Sequence, residues 1–280
     1  MTLAQKTIEL CRIYDIRPSR TKGQNFLIND KIYDEIVVAA EINQNDTVLE
    51  VGPGLGFLTS RLAKVAKKVI AVELDDKLAD FLQIGLDSQA VENVTVVNQD
   101  ILKFNPTDLP HGYKVVANLP YNITSIFLRT FLNQKNRPQS LVLMLQKEVA
   151  ERLIAKPGDM NMLALSVQFF GDVEIVREVK AGNFWPEPKI DSAVIRLVIQ
   201  EKNRGSVTRD EEKAFFRLVK FGFSAKRKML KNNLASGLKI SNLAAEKLLV
   251  SLDLNKQARA EDLSLNDWQK LFAASRHLVL

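Results

Sequence analysis

The chain places an amide, a proline and an aromatic ring directly after a short apolar run, in the segment Asn118-Leu119-Pro120-Tyr121. Pro120 ends that run as a central strand, because proline has no N–H to donate to a neighbouring strand. One chemistry that suits such a group is reaction at the amine of an adenine base. An adenine amine is a weak nucleophile, so acceptors must hold both of its N–H groups to orient the lone pair. The Asn118 side-chain oxygen and the Leu119 carbonyl oxygen are candidates for these acceptors, and Tyr121 could stack on a base swung out of its helix. The alternative is that Asn118 caps the following helix, with Pro120 and Tyr121 as loop packing.

A glycine-rich loop, EVGPGLG at residues 50–56, follows another apolar segment. Gly52 and Gly54 let the backbone pass close to a ligand and adopt a positive φ at little steric cost. Gly56 comes one residue earlier than the third glycine of the G-x-G-x-x-G fingerprint, so a nicotinamide dinucleotide site is not indicated. The alternative is a tight turn from a strand into a helix, without a ligand.

Two acids follow the next two apolar segments. Glu73 lies roughly 20 residues after the glycine loop, where doubly wound folds place the acid that accepts from both ribose hydroxyls. Asp100 follows the third segment and is placed to accept from an exocyclic amine. Taken singly, Glu73 could be a surface acid and Asp100 a helix N-cap. Together with the glycine loop they fit an adenosine without a pyrophosphate, which indicates S-adenosylmethionine.

Apolar, strand-like segments alternate with helical ones over the first half of the chain, at 47–51, 67–74, 94–98, 114–118 and 140–146. Continuous apolar strands separated by helices predict a parallel sheet that is covered on both faces, with its ligand at the carboxyl edge. Residues 166–179 and 190–199 alternate like antiparallel strands. The predicted fold class is therefore α/β, a Rossmann-like sheet of seven strands. The polar segment 201–209 is the predicted domain boundary, between a domain of residues 1–203 and an all-helical domain of residues 204–280.

The charge pattern indicates a polyanionic partner. The net charge is +6, and five cations fall within twelve residues that contain no acid, at Lys220, Lys226, Arg227, Lys228 and Lys231. Like charges at helical neighbour spacing repel unless a polyanion is near, so we expect these residues to bind RNA phosphates. The alternative is a solvated face over an aromatic core. Arg17, Arg20 and Lys22 are a possible second strip, or else a flexible charged arm.

Composition excludes several classes. Cys11 is the only cysteine, so there is no internal disulfide, and with two histidines no thiolate or imidazole metal site is expected. The N-terminal residues are amphipathic and lack an apolar h-region, so we expect no signal peptide, and no apolar run approaches the roughly 20 residues of a membrane span. We therefore expect a cytoplasmic protein.

Eight ordered segments resemble the ribosomal RNA adenine dimethyltransferase family: GQNFL at 23–27, EVGPGLGFLT at 50–59, VELD at 72–75, NQDI at 98–101, NLPYN at 118–122, QKEVAERL at 146–153, FWPEPKIDSAV at 184–194 and KRKMLKNNL at 226–234. The resemblance implies two methyl transfers to N6 of each of two adjacent adenines near the 3′ end of small-subunit (16S) rRNA. It also implies a monomeric enzyme with a role in maturation, acting on the pre-30S particle.

The resemblance also implies site residues. Those at the cofactor would be Gln24, Asn25, Leu27, Gly52, Gly54, Glu73, Leu74, Asp100, Ile101 and Asn118. Phe184 resembles the aromatic residue that sandwiches the target base against Tyr121, although it could instead be a core aromatic beside Trp185. Three other functions stay open: an antibiotic-resistance methyltransferase of large-subunit rRNA, a non-catalytic ribosome-assembly factor, and a DNA adenine methyltransferase. Leu119 stands where the DNA enzymes have proline, which argues against the last of these.

Overall fold

The computed structural model describes residues 1–19, 23–200 and 208–279. Its helices are α1 (Leu3–Ile13), α2 (Asp30–Ala39), α3 (Thr59–Val65), α4 (Asp76–Ser88), α5 (Thr124–Leu132), α6 (Lys147–Leu153), α7 (Met162–Gln168), α8 (Arg209–Gly222), α9 (Leu230–Leu238), α10 (Asn242–Val250) and α11 (Leu265–Val279). Its strands are β1 (Phe26–Leu27), β2 (Thr47–Val51), β3 (Lys68–Glu73), β4 (Val94–Asn98), β5 (Lys114–Asn118), β6 (Ser140–Gln146), β7 (Gly171–Val179), β8 (Phe184–Trp185) and β9 (Ser192–Ile199). Within the described ranges, none of the helices is long and apolar enough to cross a bilayer.

One sheet of seven strands, in the order β4-β3-β2-β5-β6-β9-β7, carries the fold. Strands β2 to β6 pair in parallel, and β9 runs antiparallel to β6. Every residue of β2 is buried, as expected for a central strand with helices on both faces. The predicted α/β class, the seven strands and their mixed directions are confirmed.

The register of the central strands brings the predicted site together. Val51, the last residue of β2, pairs with Val72 of β3 on one side and with Ala117 of β5 on the other. Glu73 directly follows Val72, and Asn118 directly follows Ala117. Glu73 pairs in turn with Asn98 of β4. Four strand ends therefore lie side by side at one edge of the sheet.

Helix α4 orients the acidic end of β3. Its buried residues Leu78, Ala79, Leu82 and Leu86 recur at helical spacing, so one face packs into the core. The Asp75 side chain caps the helix by accepting from the Leu78 N–H at 3.4 Å. The segment between Glu73 and α4 is thus fixed at one end by the strand pairing of Glu73 and at the other end by the Asp75 cap.

One predicted strand begins later than expected. The alternation predicted a strand from residue 166, but residues 162–168 form helix α7 and β7 starts at Gly171. The Asn161 side-chain oxygen accepts from the N–H groups of Leu163 and Ala164, at 3.1 and 3.0 Å, and so begins the helix. This N-cap, with buried residues at helical spacing behind it, outweighs the apparent alternation.

The chain divides into two compact units. One contains residues 1–150 and 173–199, and the other residues 151–172 and 200–280, as far as these are described. Sequence reasoning did not anticipate that residues 151–172 group with the C-terminal helices. Most of the predicted boundary segment, residues 201–207, lies outside the described residues, and the division at residue 203 stays a prediction.

The C-terminal part of the chain is helical, as predicted, and has an aromatic core. The rings of Phe169 and Phe215 stack with centroids 4.6 Å apart, and those of Phe223 and Trp268 stack at 5.8 Å. Of the phenylalanines that precede the basic segment, Phe215 is buried, and Phe216, Phe221 and Phe223 are half-buried. This agrees with the alternative of an aromatic core under the basic segment.

Candidate active site

A cavity of about 210 Å³ lies at the carboxyl edge of the parallel strands. All ten residues predicted to contact the cofactor line it: Gln24, Asn25, Leu27, Gly52, Gly54, Glu73, Leu74, Asp100, Ile101 and Asn118. Four strand ends and the segment before β1 thus contribute to one site. That segment is tied to the edge of the sheet by a bond from the Gln24 side-chain amide to Asp75, at 3.3 Å.

The glycine loop presents bare backbone to the cavity. Gly52, Gly54 and Gly56 have φ angles of +65°, +57° and +77°, in the left-handed region that side chains rarely adopt. A Cβ on Gly54 would lie 3.2 Å from the Phe26 ring, and one on Gly56 would lie 2.6 Å from Leu82. The loop therefore requires glycine for its turn and for its packing, and the backbone beside the cavity is left open to a ligand.

Glu73 is a buried carboxyl that the loop holds in place. It is 6% exposed, and its two oxygens accept from the N–H groups of Gly54, at 3.1 Å, and Asp75, at 3.0 Å. Burial raises its pKa, the two backbone bonds oppose that rise, and the charge of Asp75 adds to it. Each oxygen retains acceptor capacity, so the geometry suits a pair of hydroxyl groups.

Asp100 is a cap residue that also lies at the cavity, and its contact with an exocyclic amine stays a prediction. It caps the short turn Ile101–Lys103 by accepting from the Leu102 N–H at 2.9 Å, and it lines the cavity. Leu74, also at the cavity, is 57% exposed, which is unusual for a leucine beside buried strands. An exposed apolar surface next to a fixed carboxylate suits an aromatic base with an exocyclic amine.

Asn118 does not cap the following helix. Helix α5 begins at Thr124, its N-cap residue is Ile123, and no side chain caps it. Instead the Asn118 side-chain amide donates to the Asn25 carbonyl oxygen at 3.4 Å. That bond fixes the amide plane and leaves the side-chain oxygen as an acceptor at the cavity.

Leu119 continues the pairing with β6 by one bond only. Its N–H donates to the Met144 carbonyl oxygen at 3.0 Å. Within the described ranges, no backbone N–H bonds to the Leu119 carbonyl oxygen. Pro120, which lines the cavity, ends the strand as predicted. Leu119 is 1% exposed and does not line the cavity, so the role of its carbonyl oxygen as a second acceptor stays a prediction.

Tyr121 is half-buried and anchored by a residue to which sequence reasoning gave no role. Its hydroxyl lies 2.8 Å from the Oγ of Ser192, a fully buried residue at the start of β9. Burial raises the pKa of Tyr121, and the bond to Ser192 opposes that rise. Ser192 lies inside the segment FWPEPKIDSAV, which carried part of the family resemblance. The feature of the sequence that could have identified Ser192 is a serine at the start of an apolar strand.

Phe184 lies in the core. It is 3% exposed and pairs with Leu27 where β1 and β8 form a two-stranded antiparallel ladder. This burial agrees with the core alternative, and Phe184 does not line the cavity. Its role in stacking on a base stays a prediction that requires the side chain to become accessible.

Glu50 is a cavity residue that sequence reasoning missed. It is 1% exposed, it lines the cavity, and neither of its carboxyl oxygens has a hydrogen-bond partner. The signal in the sequence was an acid inside the apolar strand TVLEV.

The basic segment is partly free and partly paired. Lys226, Arg227 and Lys228 are exposed between α8 and α9, and none makes an ion pair with another described residue. Lys220 is exposed near the end of α8. Lys231, by contrast, pairs with Glu246 at 2.6 Å, so its charge is largely satisfied within the protein.

The predicted N-terminal strip is described only at Arg17. This side chain is 88% exposed and pairs with Asp15 at 3.1 Å, and Asp15 also pairs with Lys77. Arg20 and Lys22 lie outside the described residues.

The chain is similar to known proteins over most of its length. The model of the family "Ribosomal RNA adenine dimethylase" matches residues 18–276. The Ribosomal RNA small subunit methyltransferase A of Dehalococcoides mccartyi (strain CBDB1) is 43% identical over 275 residues, covering 96% of this chain and 92% of that protein. The protein of the same name from Clostridium acetobutylicum is 40% identical over 270 residues, covering 95% of this chain and 96% of that protein.

Two solved structures share the fold over nearly the whole chain. A dimethyladenosine transferase from Plasmodium falciparum has a TM-score of 0.80 and 29% identity, covering 90% of this chain and 98% of its own. The 23S rRNA methyltransferase ErmE has a TM-score of 0.73 and 27% identity, covering 89% of this chain and 99% of its own. The matches confirm the family predicted from the sequence, and with it an rRNA adenine methyltransferase activity that uses S-adenosylmethionine. The chain belongs to the ribosomal RNA adenine dimethylase family.

Proposed function

We propose that the protein transfers two methyl groups to N6 of each of two adjacent adenines near the 3′ end of small-subunit rRNA. The observation that carries this proposal is the convergence of Gly54, Glu73, Asp100 and Asn118 on one cavity. The names of the curated relatives support the small subunit as the source of the substrate. The name of the Plasmodium structure supports dimethylation of adenosine.

The cavity residues fit S-adenosylmethionine, which supplies an electrophilic methyl group when bound. Glu73, with both oxygens aligned by backbone N–H groups, would hold the ribose hydroxyls. Asp100 would accept from the adenine amine, and the exposed Leu74 would pack on the adenine ring. Gly52 and Gly54 would let the rest of the molecule lie against the backbone.

Asn118 and Leu119 would orient the target amine. The Asn118 oxygen and the Leu119 carbonyl oxygen accept from its two N–H groups, so that the lone pair faces the methyl group. A neutral amide suits an amine that becomes positively charged during transfer and then loses a proton. Tyr121, held by Ser192, would stack on the base.

Lys220, Lys226, Arg227 and Lys228 would contact rRNA phosphates and contribute affinity more than base recognition. Lys231 would add less because Glu246 already neutralises it. We propose a monomer that acts on the pre-30S particle in the cytoplasm and takes part in small-subunit maturation.

A second candidate function is methylation of large-subunit rRNA, which the similarity to the 23S rRNA methyltransferase ErmE supports. It is less favoured, because the curated relatives at 40% identity and above carry the small-subunit name. A factor without activity is also less favoured, because Asn118 and the glycine loop are both present.

The test is incubation of the protein with labelled S-adenosylmethionine and, in parallel reactions, undermodified small subunits or undermodified large subunits, followed by mapping of the methylated nucleotides. We expect label at two adjacent adenines near the 3′ end of the small-subunit rRNA. Label only in the large subunit would favour the second candidate, and no label in either would overturn the proposal. The Asn118→Ala variant should bind the subunits and transfer no methyl group; turnover by this variant would overturn the role of Asn118.

A further inference from the structure

Asn122 follows Tyr121 in the loop after β5, and the proposed chemistry gives it no role. It lines the cavity together with Asn118 and Pro120. Its side chain is exposed and forms no hydrogen bond with the residues that the structure describes. Helix α5, which begins two residues later, has no side-chain cap, so the Asn122 amide does not serve to begin it. Asn122 therefore presents a free amide at the edge of the cavity.

Among the cavity residues within the described ranges, this free amide is an exception. Six of them carry a side-chain amide or hydroxyl group: Gln24, Asn25, Tyr33, Gln99, Asn118 and Asn122. Five already donate to an oxygen of the protein, at 3.1–3.5 Å: Gln24, Asn25, Tyr33, Gln99 and Asn118. The side-chain N–H groups of Asn122 are thus the donors that the protein leaves entirely for a ligand.

The backbone that carries this amide is fixed. The Ile123 N–H donates to the Pro120 carbonyl oxygen at 3.1 Å and closes a turn that contains Asn122. The Thr124 hydroxyl donates to the Tyr121 carbonyl oxygen at 3.5 Å. The amide can therefore rotate about its side-chain bonds, while its Cα stays next to the residue whose ring is proposed to stack on the target base.

The target base requires a donor that the proposed chemistry does not supply. Both N–H groups of the adenine amine are assigned to the oxygens of Asn118 and Leu119. The ring nitrogens N1 and N7, one on each side of that amine, are acceptors that lose their partners when the base leaves its helix. The carboxylates of Glu73 and Asp100 accept hydrogen bonds and cannot donate them while ionised.

We propose that Asn122 is a specificity-determining residue whose side-chain amide donates a hydrogen bond to a ring nitrogen, N1 or N7, of the target adenine. This inference rests on the proposed function for the identity of the base and for the acceptors of its amine. Asn118 and Leu119 hold the amine, and Asn122 fixes the orientation of the ring in its own plane. A base without an acceptor at that position leaves the amide unpaired and is disfavoured.

The bond contributes most to the second methyl transfer. N6-methyladenine has one N–H group left, so one of the two amine acceptors loses its partner, whereas N1 and N7 are unchanged. Asn122 then supplies one of two hydrogen bonds to the base instead of one of three. Loss of the Asn122 amide should therefore raise the fraction of singly methylated adenine among the products.

The test uses small subunits that carry 1-deazaadenine or 7-deazaadenine at one target position, introduced by ligation of a synthetic 3′ segment of the rRNA before reconstitution. Each analogue replaces one ring nitrogen by C–H and keeps the amine. On native subunits, Asn122→Ala should lower kcat/KM roughly two- to tenfold, as expected for one hydrogen bond between neutral groups. On the analogue that lacks the bonded nitrogen, the wild type and Asn122→Ala should have equal rates, which assigns N1 or N7. Comparison of the two proteins on the same analogue cancels its altered amine reactivity.

Two further variants control the experiment. Asn122→Asp keeps the size of the side chain but replaces the donor by a carboxylate, and it should act more slowly than Asn122→Ala on native subunits. Asn45→Ala removes an exposed amide from the turn before β2, outside the cavity, and should leave the rate and the product ratio unchanged. Mass spectrometry of the digested rRNA measures the ratio of N6-methyladenine to N6,N6-dimethyladenine. The Kd for S-adenosylmethionine, measured by calorimetric titration, should be the same for Asn122→Ala as for the wild type.

Other outcomes contradict the inference. If the wild type exceeds Asn122→Ala by the same factor on native subunits and on both analogues, Asn122 does not bond to the ring, and the proposed function is unaffected. An unchanged rate and product ratio for Asn122→Ala on native subunits lead to the same conclusion. If the wild type does not act on the analogues, the product ratio on native subunits decides alone. Absence of methyl transfer by the wild type to native subunits would instead overturn the proposed function.

Discussion

The Tyr121 hydroxyl lies 2.8 Å from the Oγ of Ser192, and this contact joins the loop after β5 to the start of β9. Ser192 is fully buried and pairs with Gln146 at the end of β6. The aromatic ring that is proposed to stack on the target base is therefore oriented by β9, the antiparallel strand that lies beyond β6 in the sheet.

Removal of this hydrogen bond should impair catalysis more than cofactor binding. We expect Ser192→Ala to lower kcat/KM for undermodified subunits by roughly two- to tenfold, the equivalent of one hydrogen bond of about 0.5–1.5 kcal/mol. Tyr121→Phe should do the same, and the double variant should lose little more, because both changes remove one interaction. Ser192→Thr should restore most of the rate. Fully additive losses would show that the two residues act independently.

Glu73 is expected to dominate the affinity for the cofactor. Glu73→Gln keeps the size of the side chain but removes the charge and sets an amide N–H against the Gly54 or Asp75 N–H. Loss of charge-assisted bonds of about 1.5–3 kcal/mol should raise the Kd for S-adenosylmethionine roughly ten- to hundredfold. Calorimetric titration measures the change, with Glu92→Gln as the control. An unaltered Kd would exclude the ribose contact.

The glycine loop should not tolerate alanine. Gly54 has φ +57°, and its Cβ would press on the Phe26 ring at 3.2 Å, so Gly54→Ala should lower the free energy of unfolding by about 1–2 kcal/mol or more. Gly85 lies within α4 with no atom near its Cβ position, so Gly85→Ala should raise stability by about 0.5–1 kcal/mol. Urea unfolding of the two variants tests the contrast, and equal effects would refute it.

The sequence predicted the parts of the site that backbone pattern determines. Apolar strands and their order along the chain imply that Gly52, Glu73, Asp100 and Asn118 follow neighbouring strands at one edge, and the structure brings them to one cavity. The N-cap of α7 was missed because the local pattern of residues 162–168 supports both a helix and a strand, and packing decides between them.

The hydrogen-bond and ion-pair partners of individual side chains could not be predicted from the sequence. Nothing local indicates that Ser192 meets Tyr121 across 71 positions or that Lys231 is neutralised by Glu246. Glu50 was passed over because a pattern of apolar residues does not show whether an included acid has a partner. These relationships depend on the tertiary fold and on burial, which spacing along one chain does not specify.

The exposed basic segment should govern the salt dependence of subunit binding. Changing Lys226, Arg227 and Lys228 to glutamine should weaken binding and reduce the slope of log K against log salt by about 0.7–0.9 for each phosphate that the variant no longer neutralises. The control is Lys67→Gln with Lys68→Gln, two exposed lysines at the start of β3. Filter binding across a salt series measures both slopes. A triple variant with the slope of the wild type would exclude this segment from the interface.

Glu50 should also make the stability of the ligand-free protein depend on pH. Its pKa is about 8 in the folded chain, against an ordinary value of 4.5 that applies when the chain is unfolded. Between these pH values the folded state holds a proton that the unfolded state has released, so the free energy of unfolding falls as the pH rises. The loss reaches several kcal/mol near pH 8 and then stops growing, because both states are ionised.

The Glu50→Gln variant lacks this titration. Its unfolding temperature should match that of the wild type near pH 5 and exceed it increasingly up to pH 8, because a neutral amide avoids the buried charge. Thermal unfolding from pH 5 to pH 9, with Glu92→Gln as the control, measures the difference. A constant offset between wild type and Glu50→Gln over that range would mean that Glu50 is ionised throughout, with a partner for its charge within the protein.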